Sequence, residues 1–125
     1  LRAMARSGEL GELLGAPPQP EQPALRFPVA AQAPASYPRG FPWIEGGAPD
    51  PETANGPTSI VLYATPPAGL FERFAEALPR NGWQMNPGTT REGGTYRFSA
   101  SRDGRTVRLI AAPEPSGTML GVREI

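Results

Sequence analysis

The stretch Tyr96-Arg97-Phe98-Ser99-Ala100-Ser101-Arg102-Asp103-Gly104-Arg105-Thr106-Val107-Arg108-Leu109-Ile110-Ala111-Ala112 decides the fold. Asp103-Gly104 is the dipeptide of a two-residue type I′ turn, whose twist suits the strands on either side, so the flanks pair as an antiparallel hairpin. Counting back from the turn sets Ala100 against Val107, Phe98 against Leu109 and Tyr96 against Ala111 on one face. The opposite face receives Arg97 with Ile110, Ser99 with Arg108 and Ser101 with Thr106. One face is apolar and the other mostly polar. Burial therefore sets the register, because a slip of one residue would turn every side chain over.

Upstream, Ser59-Ile60-Val61-Leu62-Tyr63-Ala64-Thr65 is a continuous apolar run of strand length, of the kind a sheet covers on both faces. Pro66-Pro67 stops it, and Pro67 suits the first turn of a helix. Leu70, Phe71, Phe74 and Leu78 then form one apolar stripe, while Glu72, Arg73, Glu76 and Arg80 face away. Gly82 suits a left-handed helix cap, with Trp83 folding back on Leu78. Pro79 cannot donate to Ala75, which predicts a kink or a helix that stops at Leu78. Residues 83–85 read as a short strand and 86–94 as a flexible loop. Downstream, residues 113–117 read as a turn and 118–124 as a last strand. The order is β-α-β-β-β-β, an α+β layer with one helix on a mostly antiparallel sheet.

Farther out, proline divides the chain. Eleven of the 17 prolines fall in residues 1–57, which read as a short helix and a Pro-rich extended arm preceding a compact domain over 58–125. In the first 16 residues Leu10, Leu13 and Leu14 share a helical face. Leu25, Phe27 and Val29 alternate within the Pro-rich spacer, which suggests that it lies against a protein surface. Tyr37, Phe41 and Trp43 follow, rigid aromatics in a proline-stiffened strand and good anchors either to the chain's own sheet or to another chain. The expected partner-binding set is thus Leu10, Leu13, Leu14, Leu25, Phe27, Tyr37, Phe41 and Trp43. Residues 46–57 read as loop. A 68-residue domain is short for independent stability, so the arm is also expected to cover an edge or the far side of the sheet.

Composition removes whole classes of chemistry. The 125 residues contain no Cys, His or Lys, and all 12 cations are Arg. Thiolate or imidazole metal sites, His-based triads and Schiff-base lysines have no residues to build them. Asp103 belongs to a turn, Glu72 and Glu76 lie on a solvated helix face, and Asp50 and Glu52 sit in a Pro-rich loop. The expectation is a non-enzymatic protein with no catalytic residues, no metal and no cofactor. Twelve acids balance the 12 arginines, so the basic excess of a nucleic-acid binder is missing and no nucleic-acid partner is expected. No apolar stretch is long enough to span a bilayer. Since the chain begins at Leu1, a preceding segment or a partner is the expected route to any membrane association.

Tyr37-Pro38-Arg39-Gly40-Phe41-Pro42, Ile60-Val61-Leu62-Tyr63-Ala64-Thr65 and the helix ending in Asn81-Gly82-Trp83 give residues 36–125 a pattern that resembles small uncharacterised bacterial envelope domains. Those run from a Tyr-Pro-Gly-Ala element through a strand and a helix ending in Gly-Trp to a hairpin. Arg39-Gly40 stands where that pattern has Gly-Ala, and the long loop at 46–57 departs from it. The resemblance implies a periplasmic or lipoprotein-like α+β module with no catalytic residues to carry over. The expected function is a structural or interaction subunit of an envelope assembly such as a pilus, secretion or transport apparatus, bound to other protein subunits through its arm. The alternative is a small-ligand or glycan-binding module that uses Arg97, Arg108 and the 86–94 loop.

Overall fold

Prolines and glycines border most elements in the computed structural model, which describes residues 24–125. Among these residues seven strands and one α-helix occur. They are β1 (Ala48–Pro49), β2 (Thr58–Tyr63), α1 (Pro67–Arg80), β3 (Gln84–Met85), β4 (Thr90–Glu92), β5 (Thr95–Arg102), β6 (Arg105–Glu114) and β7 (Gly117–Glu124). A 3-10 turn at Pro51–Thr53 joins β1 to β2. The strands form one sheet in the order β1-β2-β7-β6-β5-β3, with β4 on the same edge of β5 as β3 and every pair antiparallel. Helix α1 packs on one face. This is the α+β class, with two more short strands than the sequence reading counted.

The β5–β6 hairpin has the predicted register, Tyr96↔Ala111, Phe98↔Leu109 and Ala100↔Val107. Asp103 and Gly104 take φ of 51° and 80°, as a type I′ turn requires. Residues 90–92 form a second hairpin with β5 around Gly93-Gly94, at φ of 59° and 82°. All three β4 residues are exposed, so no apolar alternation announced it.

Pro66 and Pro67 start α1, and Leu70, Phe74 and Leu78 are fully buried beneath it. Each such side chain stabilises the fold by about 1.5–3 kcal/mol. The helix runs to Arg80 rather than stopping at Leu78. The Trp83 N–H donates to the Leu78 carbonyl (2.9 Å) and the Gly82 N–H to the Pro79 carbonyl (3.2 Å), with Gly82 at φ 78°. This is a Schellman motif. It satisfies the terminal carbonyls, so the one donor missing at Pro79 is tolerated in the last turn.

Strand β6 also runs past its expected end, through Pro113 to Glu114, and a two-residue turn leads to Gly117. Pro113 lies beyond the last β5 pair, Tyr96↔Ala111, so no ladder donor is missed on that side.

The core draws on residues from both sides of Thr58. Tyr37, Phe41 and Ile44 lie in the same buried cluster as Val61, Phe74, Trp83, Phe98 and Leu109. Three alternate carbonyls of the 40–44 segment accept side-chain hydrogen bonds from aromatic residues. Gly40 accepts from Trp83 Nε1 (3.0 Å), Pro42 from Tyr37 Oη (2.6 Å) and Ile44 from Tyr63 Oη (2.9 Å). One short stretch thus receives all three donors. Buried Tyr and Trp usually find such a partner for the polar atom, and of the tryptophans Trp83 has one while the buried Trp43 Nε1 has none among the described residues.

On the far side of the sheet, away from α1, Leu62 and Ala48 are also fully buried. Segment 24–30 is tied to that side, with the Ala30 N–H on the Gly47 carbonyl (2.9 Å) and Arg26 beside Glu114 (3.7 Å).

Candidate binding face

Two clusters hold the polar chemistry of the described residues. The first surrounds Trp83 at the turn end of the β5–β6 hairpin. The Arg102 and Arg105 guanidiniums lie 5.0 and 5.3 Å from the Trp83 ring centre. Arg105 grips Glu124 through two 2.8 Å hydrogen bonds and donates another to the Arg39 carbonyl (2.8 Å). These bonds hold the Glu124 carboxyl below its ordinary range. Arg102 donates to the Asn81 carbonyl (2.9 Å). Both side chains are engaged, and they clamp the 39–41 turn and the helix end to the hairpin.

The second cluster is the far face of the sheet. In one row across it stand Ser99 (β5), Arg108 (β6), Arg123 (β7) and Thr58 (β2), and in the next Arg97, Ile110, Gly121 and Ile60. Asn86 Nδ2 donates to the Ser99 and Ser101 hydroxyls (3.0 and 2.9 Å), and Ser101 pairs with Thr106 (3.2 Å). The hydroxyls are thus largely satisfied among themselves. Ion pairs within the described residues join Arg26 to Glu114, Arg102 to Asp103 and Arg105 to Glu124; Arg97, Arg108 and Arg123 take part in none. Pro87, Gly88, Arg97, Ser99, Arg108 and Ile110 line an open depression of about 380 Å³. Ile110 and Met119 are 43% and 39% exposed on this face.

Each residue expected to bind can now be located. Leu10, Leu13 and Leu14 lie outside the described residues. Leu25 and Phe27 are half-buried, and the Arg26 guanidinium covers the Phe27 ring at 5.5 Å. Tyr37 and Phe41 are buried in the chain's own core, so of the two destinations open to these aromatics the structure shows the internal one. Trp43 is half-buried, its ring edge-on to Tyr37 at 5.2 Å. Arg97 and Arg108 stand together on the far face beside residues 87–88. Arg123, Ile110 and Met119 join them there. Arg123 was not anticipated because its position depends on the β6–β7 register, which the sequence reading left unassigned.

The carboxylates are scattered. Asp50 Oδ1 caps the 3-10 turn by accepting from the Glu52 N–H (2.8 Å), Glu114 accepts from the Ser116 hydroxyl, and Glu124 is held by Arg105. Among the described residues no group of three acidic side chains could hold a metal ion. No helix among them is long and apolar enough to cross a membrane.

Burial is the main cause that pushes the hydroxyls of Tyr37 and Tyr63 above their ordinary value; the neighbouring Tyr63 adds to it for Tyr37, and the Ile44 backbone and Arg73 oppose it for Tyr63. A raised tyrosine pKa favours the neutral form in the folded state. The stability it contributes is therefore complete below the unfolded value of about 10 and is lost as pH rises toward the folded one. With no Lys or Cys in the chain, tyrosine dominates the alkaline titration. Melting temperature is expected to hold from about pH 8 to 10 and to fall beyond it, less steeply in Tyr63→Phe. A flat profile to pH 11.5, or an unchanged slope in the variant, would contradict the buried placement of these rings.

Compared with known proteins, the chain matches no family model, no curated protein and no solved structure.

Proposed function

We propose that the chain is a non-enzymatic interaction subunit of a bacterial envelope assembly, of the kind that builds a pilus, secretion or transport apparatus. One observation carries the docking role. Ile110 and Met119 stand open on a sheet face that also carries Arg97, Arg108 and Arg123, which have no ion-pair partner among the described residues. A polar-rimmed apolar patch is the usual mark of a protein interface. The envelope placement rests on the strand, helix, Gly-Trp and hairpin resemblance in the sequence. Tyr37 and Phe41 are used internally, so docking is assigned to the far face of the sheet rather than to the aromatic segment.

The test is a photocrosslinker at Met119 of the full chain, produced in its native host, against the same probe at Glu76 on the outer face of α1. A discrete adduct at Met119, absent at Glu76 and lost on Ile110→Glu, is the expected result. The same pattern at both positions, or no dependence on Ile110, would overturn the reading.

The depression beside residues 87–88 favours a second reading, a small-ligand or glycan module, since its volume lies within the range of small-molecule pockets. On that reading Arg97→Ala abolishes ligand binding with stability changed by less than about 0.5 kcal/mol, and Met119 yields no adduct.

A further inference from the structure

Arg97, Arg108 and Arg123 sit on three adjacent strands of the far face. Arg108 is directly opposite Arg123, and Arg97 is one diagonal step from Arg108. Like charges placed opposite one another destabilise an antiparallel ladder. Glu92 and Glu114 share this face by register, yet neither forms an ion pair with any of the three. The chain as a whole is neutral, so this local excess is a matter of placement.

The layout selects the chemistry of what covers it. Arg97 and Arg123 are two strand spacings apart across the sheet and two residues apart along it, roughly 12 Å on the diagonal, which suits several carboxylates along one chain better than a single small oxyanion. Ile110, directly opposite Arg97 and two residues from Arg108, supplies an apolar contact among the charges. The hairpin's aromatics offer no platform for stacked bases, because Phe98 is buried in the core and Tyr96 stacks on Phe71 of α1, and the Phe27 ring is covered by Arg26.

We propose that this face docks an acidic segment of a protein partner, with carboxylates on Arg97, Arg108 and Arg123 and an apolar side chain on Ile110 and Met119. The inference rests on the chain being an interaction subunit and names the chemistry of its partner.

The probe is a short fluorescein-labelled peptide of glutamates around a Leu-Leu pair, titrated by anisotropy against the full chain at low salt. Controls are the same peptide with Gln for Glu, phosphatidylglycerol vesicles and single-stranded RNA. The glutamate peptide is expected to bind about tenfold or more tighter than its glutamine counterpart and to weaken as salt rises. Arg108→Glu should weaken it about tenfold, while Arg80→Glu on α1 leaves it unchanged. Arg108→Glu also replaces a repulsive pair with an attractive one across β6 and β7. Its melting temperature should therefore match or exceed the parent's, which separates lost binding from lost folding.

Equal binding of the glutamine peptide, or equal effects of Arg108→Glu and Arg80→Glu, would overturn the proposal. So would vesicles or RNA binding with the same arginine dependence in place of the peptide. Loss of peptide binding with the Met119 adduct retained removes the acidic partner alone. Loss of the adduct with peptide binding retained removes the envelope-subunit reading alone.

Discussion

Replacing Gly117 with alanine is expected to lower stability by about 3 kcal/mol or more. Gly117 opens β7 directly after the two-residue turn and takes φ of 138°. A Cβ there would stand 2.2 Å from the Tyr63 carbonyl oxygen and 2.7 Å from the Ala64 carbonyl carbon and oxygen. These are backbone atoms at the end of β2, and they cannot rotate aside as a side-chain tip can. Alanine must therefore push β2 from β7 just beside the Tyr63↔Thr118 pair. The displacement would reach the 40–44 segment as well, because the Tyr63 hydroxyl holds the Ile44 carbonyl.

In thermal denaturation the loss should appear as a fall of roughly 10–20 °C. Gly88→Ala is the internal control. Gly88 also has positive φ, 98°, but nothing lies within 4 Å of its would-be Cβ. It should cost only the backbone strain, of order 1 kcal/mol. If the two substitutions cost the same, the close approach of β2 to β7 is not what requires glycine at 117.

Trp83→Ala is expected to cost about 3–5 kcal/mol, as for large aromatics removed from a core. Trp83 is 2% exposed and joins three parts of the molecule. Its backbone N–H closes the helix on Leu78, its ring meets Phe41 edge-on at 4.9 Å, and its indole N–H holds the Gly40 carbonyl. Arg102 and Arg105 lie against the ring and lose that contact with it. Trp83→Phe keeps an aromatic but leaves the Gly40 carbonyl without its donor, which is worth about 1–2 kcal/mol.

A second readout separates this linking role from simple packing. With the Gly40 tie gone, trypsin should cut after Arg39 faster in Trp83→Ala than in the parent at matched fraction folded. An unchanged rate, or a stability loss below about 1 kcal/mol, would show that Trp83 does not hold the 37–44 segment in place.

The parts of this fold that were legible beforehand are those whose signals are local. Asp103-Gly104 specifies its own turn, and the alternation on either side specifies the faces, so Phe98 against Leu109 and Arg97 against Ile110 followed at once. Pro67 and the stripe of Leu70, Phe74 and Leu78 gave the helix, and Gly82-Trp83 its end. Strand β4 is not legible in the sequence because Thr90, Arg91 and Glu92 are all exposed and carry no apolar period. Strand β6 runs past the end that its sequence suggests, because Pro113 reads as a breaker while its place in the ladder needs no donor toward β5.

The candidate site divides the same way. Arg97 and Arg108 could be placed on one face from hairpin register alone. Arg123 could not, because its neighbour across the ladder depends on how long β6 runs before it turns. Ile110 was assigned to the polar face, but its exposure depends on what covers that face, and segment 24–30 is tied beside Glu114 and Gly47.

By itself the sequence determined the hairpin and its two faces, the helix and its buried stripe, and the lack of Cys, His and Lys, since each is a property of neighbouring residues or of composition. Only the tertiary structure decided where Tyr37, Phe41 and Trp43 go and which arginines meet. A rigid aromatic in an extended, proline-stiffened strand can bury itself equally well on its own chain or on another. Donors from Tyr63 and Trp83, aimed at the Ile44 and Gly40 carbonyls, settle the matter for this segment, and residues 19 and 43 positions apart in the chain must meet before those bonds exist.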